Sequence, residues 1–406
     1  MYDGGQKTRE VASVSQFQLI ATTAFGLEAV VKRELQDLGV EDIQASNGYV
    51  EFSGDENMIA KSNLWLRTAN SVLIKVGQFR ASTFDELFEQ TKALPWPDFL
   101  PKDASFPVNG RSIQSQLSSV PACQSIVKKA VVESLKQRYR METFPETGAG
   151  YTLEVALHKD EAIVTLNTSG DGLHKRGYRK LTAQAPIRET LGAALVLLSR
   201  WGIHRPFADP LCGSGTIPIE AAMIGANVAP GHKRRFAADN FVWMDKQVWK
   251  EARQEVEDKK RRDARFEVFA GDVDKAVLSL AEYHARQAGV GPLVQIVQQD
   301  VDKFRPETEY GCIVTNPPYG ERLWEEREVR RLYQTMGRAF KPLETWSKFV
   351  ITSYTEFERA FGAKADKKRK LYNGRIQTNF YQYLGPLPPR EGRRLAESDA
   401  ISGNAT

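Results

Sequence analysis

A chain of 406 residues with 41% hydrophobic and 26% charged side chains has the composition of an ordinary globular protein of two or three domains, not of a disordered or fibrous one. The net charge of +5, from 56 basic and 51 acidic side chains, is compatible with a polyanionic partner but identifies none. Three cysteines, Cys123, Cys212 and Cys312, are odd in number and far apart, which argues against a disulfide framework; without a CxxC or HxxxH pair, no metal site is expected. No apolar run is long enough to span a bilayer, and the polar N-terminus lacks a secretory apolar segment, so no membrane association and a cytoplasmic location are expected.

In chain order, residues 1–15 read as a flexible leader. A first block over 16–64 holds a strand (FQLIATT), a helix (GLEAVVKRELQDLG), a second strand (NGYVEFSG) and a second helix (ENMIAKSNLWLRT). Leu27, Val30, Val31, Leu35 and Leu38 form the apolar stripe of the first helix. A second block over 65–174 reads as small α+β units: strand SVLIKVGQF, helix FDELFEQTKAL, strand FPVNGRSIQSQ, helix PACQSIVKKAVVESLKQRY and a strand pair turning at His158 to Glu161. Its long helix carries Lys128, Lys129, Lys136, Arg138 and Arg140, either a solvated face or a phosphate-contacting surface.

A third block over 175–386 alternates apolar strands and helices, the pattern of a mostly parallel sheet covered on both faces. RPFADPLCGSGT holds a strand and a glycine turn, and a helix comes next. The basic stretch 227–265, with Trp243 and Trp249, reads as an insertion: a solvated helix or a flap near substrate nucleic acid. FEVFAGDVD, VQIVQQD and YGCIVTNPP are the next strands, WSKFVITS another, and a hairpin turning at Asn373-Gly374 ends the block. Residues 387–406 read as a flexible tail.

The residues able to carry chemistry lie at strand ends. Gly213 and Gly215 permit a tight turn and close backbone approach to a ligand. The loop is neither a P-loop nor a dinucleotide fingerprint, since Pro218 stands where a third glycine would be. Asp209 suits a ligand with an ammonium group. Asp272, with Asp274 second, is placed to accept ribose hydroxyls, and Asp300 to hold an adenine amino group. In TNPPY the Asn316 side-chain carbonyl and the Pro317 carbonyl are two acceptors that suit an exocyclic –NH₂. Tyr319 offers a stacking face, and the prolines keep the hook stiff. Cys312, inside an apolar strand, reads as core rather than as a nucleophile.

The order DPLCGSGT, GDVD, QQD, TNPPY resembles class I methyltransferases that use S-adenosylmethionine to modify exocyclic amino groups of nucleic acid bases. The N-terminal half is similar to a THUMP RNA-binding domain preceded by a ferredoxin-like domain. The segment LHKRGYRKLTAQAPIRETLGAALV resembles the junction in bacterial THUMP methyltransferases related to the guanine-N2 methyltransferase of large-subunit ribosomal RNA, a branch often labelled N6-adenine-specific DNA methylases. The resemblance runs from about Phe17 to Pro386.

It implies a Rossmann-like domain with a seven-stranded mostly parallel sheet, preceded by α+β ferredoxin-like (16–64) and THUMP (65–174) domains. It implies S-adenosylmethionine as cofactor, held by Asp209, Pro210, Cys212, Gly213, Ser214, Gly215 and Thr216, by Asp272 and Val273, by Asp300 and Val301, and by Asn316, with Ala185, Pro186 and Ile187 covering it. Cys212 stands where many such enzymes have a first glycine, a form expected in this branch. Asn316, Pro317, Pro318 and Tyr319 are the implied catalytic hook. The implied partner is RNA, 23S rRNA or a ribosome assembly intermediate, with methylation at guanine N2. A tRNA guanine-N2 enzyme, a DNA adenine-N6 or cytosine-N4 enzyme, and a non-catalytic RNA-binding protein are the alternatives.

Overall fold

The computed structural model describes residues 16–179, 187–319 and 323–389. They build two seven-stranded sheets. The leader, the junction residues through Pro186, and the tail from residue 390 lie outside the described residues.

The first sheet is built from β1 (Phe17–Thr23), β2 (Ile43–Ser46), β3 (Tyr49–Gly54), β4 (Ala69–Arg80), β5 (Val108–Ile113), β6 (Leu153–His158) and β7 (Glu161–Asn167), in the order β2-β3-β1-β4-β7-β6-β5. Helices α1 (Glu28–Asp37), α2 (Glu56–Trp65), α3 (Phe84–Lys92), α4 (Trp96–Phe99) and α5 (Val120–Tyr139) complete it. The two N-terminal blocks share this one sheet because β4 is 12 residues long. Its first half, to Ile74, pairs with β1, and its second half, Leu73 to Arg80, pairs with β7 through a bulge between Lys75 and Gly77. Val30, Val31 and Leu35 are buried, as the apolar stripe of α1 predicts. A capping box between Thr83 and Glu86 starts α3.

The second sheet uses β8 (Phe207–Asp209), β9 (Val268–Asp272), β10 (Gln295–Gln298), β11 (Cys312–Thr315), β12 (Ser347–Thr352), β13 (Lys367–Asn373) and β14 (Ile376–Tyr383), in the order β10-β9-β8-β11-β12-β14-β13. The first five neighbours are parallel, and β14 runs antiparallel between β12 and β13. On one face α6 (Glu189–Ser199), α7 (Thr216–Gly225) and α9 (Lys275–Ala288) pack with Leu27 and Val30 of the first block. On the other lie α10 (Leu323–Phe340) and α11 (Phe357–Phe361). The chain leaves β10 at one edge and returns as β11 on the other side of β8. That reversal opens a crevice at the carboxyl ends of β8 and β11, where open α/β sheets bind ligands.

The basic insertion is not a flap at this crevice. Phe236, Phe241, Met244 and Trp249 are buried in the core of the first sheet. Phe241 stacks on Tyr151 at 4.4 Å, and Trp243 donates to the Phe99 carbonyl at 3.1 Å. Arg234 donates to the Gly172 and Asp171 carbonyls at 2.9 and 2.6 Å. Helix α8 (Lys246–Asp258) lays Trp249, Ala252 and Val256 against α2 and exposes its charged side. Its basic residues are the solvent half of an amphipathic helix, so charge content alone misplaced the segment. We expect Trp249→Ala to lower unfolding stability by about 3 kcal/mol, the low end for an aromatic deletion, because its indole N–H has no partner to lose among the described residues. Limited proteolysis should then cut within 229–258; wild-type resistance and an unchanged urea midpoint would refute the anchoring of this segment, a strap from the catalytic domain into the first sheet's core.

Candidate active site

The crevice is built on the end of β8. The short strand FAD delivers Asp209, which is 1% exposed. Burial pushes its carboxyl up to about 7, against the Thr315 hydroxyl and the Leu211 N–H, which favour its charged form; nearby Asp272 adds to the rise. The chain then turns through Pro210 to Gly215. Cys212 N–H donates to the Gly271 carbonyl at 2.9 Å, and Gly215 N–H to the Cys212 carbonyl at 2.9 Å. Gly215 has φ +83°, and a Cβ there would lie 2.9 Å from Ala281 Cβ. Glycine is therefore required both by the backbone and by the approach of α9. Thr216 opens α7 and receives a hydrogen bond from Arg179, which also reaches Glu189 at 3.5 Å. The Ser214 carbonyl accepts from His284 Nδ1 at 3.1 Å. Cys212 is buried, and burial drives its thiol well above the ordinary value.

Asp272, at the end of β9, is locked to this loop. Its Oδ2 accepts from Gly213 N–H at 3.0 Å and its Oδ1 from Asp274 N–H at 3.0 Å. A carboxylate has about four acceptor sites, so sites for two further donors are left. Asp274, the second ribose candidate, instead caps α9. Beside Asp272 a cleft of 430 Å³ is lined by Val273, Val297, Gln298, Gln299, Asp300 and Lys303. Val273 is 54% exposed over it, and Asp300 borders it while capping the turn Val301–Lys303. Val301 turns its side chain into the core with Ile313 and Phe304, so that side chain does not line the cleft. Gln298, Gln299 and Lys303 escaped the sequence reading because nothing in their spacing marks them; β10 pairing beside β9 brings them there.

On the other side of β8, the register Ile313 to Ala208 carries Asn316 beside the Asp209 loop. Pro317 is buried, Pro318 exposed, and Asn316 and Tyr319 partly exposed. The Pro318 carbonyl accepts from Tyr333 Oη at 2.8 Å, and that hydroxyl also meets Thr352 Oγ1 at 2.8 Å. The Tyr319 hydroxyl donates to Asn316 Oδ1, and Asn373 is a further side-chain partner. Burial pushes its phenol up to about 12, so it stays a donor at neutral pH. One Asn316 lone pair is thus occupied, and among the described residues one remains. Cys312 is fully buried with its thiol pushed up to about 11, which suits core and not a thiolate nucleophile. Pro186 and Ala185 lie outside the described residues, and Ile187 is buried. Among the described residues no group of three or more metal-ligating side chains occurs.

On the basic helix α5 two of the five cations are paired, while Lys129, Arg138 and Arg140 make no ion pair among the described residues. Lys128 pairs with Glu146 at 2.7 Å, and Lys136 with Glu133 and Glu142 at 3.2 and 3.3 Å.

A parallel sheet in this order, with an acidic glycine loop after β8 and Asn-Pro-Pro-Tyr after β11, defines a class I methyltransferase domain. Residues 176–382 match the family model "RMKL-like, methyltransferase domain", residues 18–73 the "RlmL ferredoxin-like domain" and residues 81–167 the THUMP domain. The chain is 50% identical over 379 residues to the "Putative RNA methyltransferase YpsC" of Bacillus subtilis, covering 93% of this chain and 98% of that one. It is 54% identical to a Listeria monocytogenes protein whose structure is described as "a predicted N6-adenine-specific DNA methylase" (TM-score 0.88, 92% and 97% covered). It is 44% identical to a structure described as "a putative methyltransferase complexed with SAH" (TM-score 0.87, 92% and 99% covered). The chain belongs to the RMKL-like methyltransferases, with an RlmL-type ferredoxin-like domain and a THUMP domain ahead of the catalytic one.

The raised Asp209 pKa gives a signed prediction. Below 3.8 the carboxyl is protonated folded or unfolded; above about 7 the folded chain holds a desolvated carboxylate. Stability is therefore lost as pH rises through that window. The stability of Asp209→Asn relative to wild type should rise by on the order of 2–3 kcal/mol from about pH 5 to pH 8. A difference that stays flat in urea titrations across that range would sink the assignment.

Proposed function

We propose that this chain transfers a methyl group from S-adenosylmethionine to an exocyclic base amine of RNA, guanine N2 of 23S rRNA. The carrying observation is that the switch point of the second sheet sets the Asn316 hook beside the Asp209–Thr216 loop and the Asp272 carboxylate. The donor set fits the cofactor. Asp209 would meet its ammonium group, whose charge favours the ionised carboxyl. Asp272 would take ribose hydroxyls with its remaining acceptor sites, and Val273 with Asp300 would flank the adenine. The SAH complex of a relative at 44% identity supports this cofactor.

When bound, S-adenosylmethionine supplies a sulfonium-activated methyl group. What remains for the protein is alignment and charge. The second lone pair of Asn316 Oδ1 and the Pro317 carbonyl would accept the two amine hydrogens, turning the nitrogen lone pair towards the methyl group and drawing density onto nitrogen. Tyr319 holds the Asn316 side chain, and Tyr333 holds the Pro318 carbonyl, so the hook is stiff before the base arrives. The target base must leave its stack to present that amine. RNA is favoured over DNA by the THUMP match and by the Bacillus relative's name, and the ribosomal target by the resemblance of the junction segment LHKRGYRKLTAQAPIRETLGAALV to the ribosomal RNA guanine-N2 branch.

Two measurements test the reading. Mass spectrometry of nucleosides from a deletion strain should show N2-methylguanosine lost from 23S rRNA. Loss from tRNA alone, or of methylated bases from genomic DNA, would move the substrate, and no change in any pool would refute the reaction. Asn316→Ala should reduce methyl transfer by at least about a hundredfold while S-adenosylmethionine affinity stays near wild type. Equal activity in the variant would remove the hook from the mechanism.

A further inference from the structure

Outside the crevice, a second concave site lies where the first block meets the far edge of the catalytic sheet. Arg33 of α1, Arg200 at the end of α6, and Lys367, Lys368 and Arg369 of β13 surround a cleft of 360 Å³ floored by Leu197, Leu198 and Phe349. Among the described residues no carboxylate lines it. Lys368 is neutralised by Glu358, and Arg369 donates to the Gly26 carbonyl at 3.0 Å while keeping its charge. Arg33, Arg200 and Lys367 make no ion pair among the described residues. Some surface lysines pair with acids a turn away, as at Lys259 and Glu255 or Lys260 and Glu257; others, such as Lys246 and Lys250, do not among the described residues, so what marks this cleft is the convergence of its cations from three elements. Arg200 also holds a left-handed backbone, φ 55°, a conformation that favours glycine. The α6 C-terminus adds about half a negative charge, which four full positive charges outweigh.

Lysines on β13 also protect an exposed sheet edge from pairing. Edge protection does not explain why cations from α1 and α6 converge on the same hollow, or why an aromatic ring and the hook meet the far end of the same strand. From Lys367 the strand runs seven residues to Asn373, about 20 Å at a strand's rise, and Asn373 meets Tyr319 of the hook. The loop after β1 crosses the half of the strand nearer the hook, with Gly26 against Arg369 and Lys370. Next to Asn373, Phe25, 51% exposed, packs edge-on against Tyr372 with ring centroids 6.1 Å apart. Unpaired cations, then an exposed ring, then the hook is the sequence of features that tracks a single strand: charge for phosphates and a flat face for a base.

We propose that the cleft of Arg33, Arg200, Lys367 and Arg369, continued by Phe25, binds the phosphodiester backbone of single-stranded RNA a few nucleotides from the base held at Asn316. This rests on the proposed RNA substrate. It assigns RNA contacts to the seam between the ferredoxin-like and catalytic domains, on residues separate from the basic helix α5.

The test uses the full chain, Arg33→Glu with Lys367→Glu, and a charge-matched control, Lys246→Glu with Lys250→Glu on the exposed side of α8. Fluorescence anisotropy with a labelled single-stranded RNA of about 20 nucleotides is read from about 50 to about 200 mM salt. Relative to the control, the double variant should lose at least tenfold in affinity, and its log–log salt slope should flatten by about 1.4, two phosphate contacts' worth. Phe25→Ala should lower affinity roughly tenfold with the slope unchanged. S-adenosylmethionine affinity should be the same in all. RNA affinity and slope equal to the control would overturn the proposal. So would calorimetric binding of inorganic phosphate or AMP that the double variant abolishes while RNA binding is untouched, since that describes a small-anion pocket. The two readings fail separately. RNA bound through the cleft without methyl transfer refutes the reaction alone, and methylation with a KM unmoved by the double substitution refutes the track alone.

Discussion

Arg176 brings a guanidinium into the protein interior where three domains meet, and Glu220 meets it from α7 at 3.3 Å. The same guanidinium donates to the Leu173 carbonyl at 2.8 Å and to the Arg67 carbonyl, and Tyr178 Oη donates to Glu220 at 3.1 Å. Arg67 and Thr68 in turn donate their N–H groups to Glu34 of α1 at 2.7 and 3.1 Å. Burial lowers the Arg67 pKa to about 10, which still leaves it charged at neutral pH. Such a cluster adds little net stability, because desolvation offsets most of the attraction. Losing one member is costly, since it strands a buried charge. A mutual arrangement of the ferredoxin-like domain, the THUMP domain and α7 that separates these groups is therefore strongly disfavoured.

That constraint reaches the chemistry. Glu220 sits one turn into α7, and Thr216 at the start of α7 is held by Arg179, three residues beyond Arg176. The loop from Asp209 to Gly215 is thus fastened at one end to β8 and at the other to the interdomain cluster. The strap over residues 229–256 makes a second attachment by inserting aromatic rings into the first sheet's core. With both in place, an RNA gripped by the N-terminal domains would approach the crevice along a fixed direction. Enzymes that work by alignment need that rigidity, since misplacing the reacting nitrogen by an ångström forfeits much of the rate.

The crevice itself is pre-organised by hydrogen bonds that the sequence does not display. Gly213 N–H on Asp272, Tyr319 on Asn316 and Tyr333 on the Pro318 carbonyl join residues from β8, β9, β11, α10 and the loops between them. Each holds a polar group in one orientation before a ligand arrives and leaves acceptor capacity free on Asp272 and Asn316.

Much of this was legible in the chain alone, for physical reasons. Strand periodicity, the glycine turn after Asp209, acids at the ends of successive strands, and prolines after Thr315 are local features, so they named the catalytic sheet and most of the crevice by position. Helix α1 was readable because one of its faces is solvated, whereas α6 is buried nearly all round and shows no stripe. What required tertiary structure was whatever depends on pairing between distant segments. The length of β4 fuses two blocks into one sheet, a basic insertion buries its aromatic side in another domain, and Arg33, Arg200 and Lys367 converge although 167 positions separate each neighbour along the chain. Local sequence carries backbone preference and polarity. Partners, and with them which charges are neutralised and which remain to meet a ligand, are decided only when the chain closes on itself.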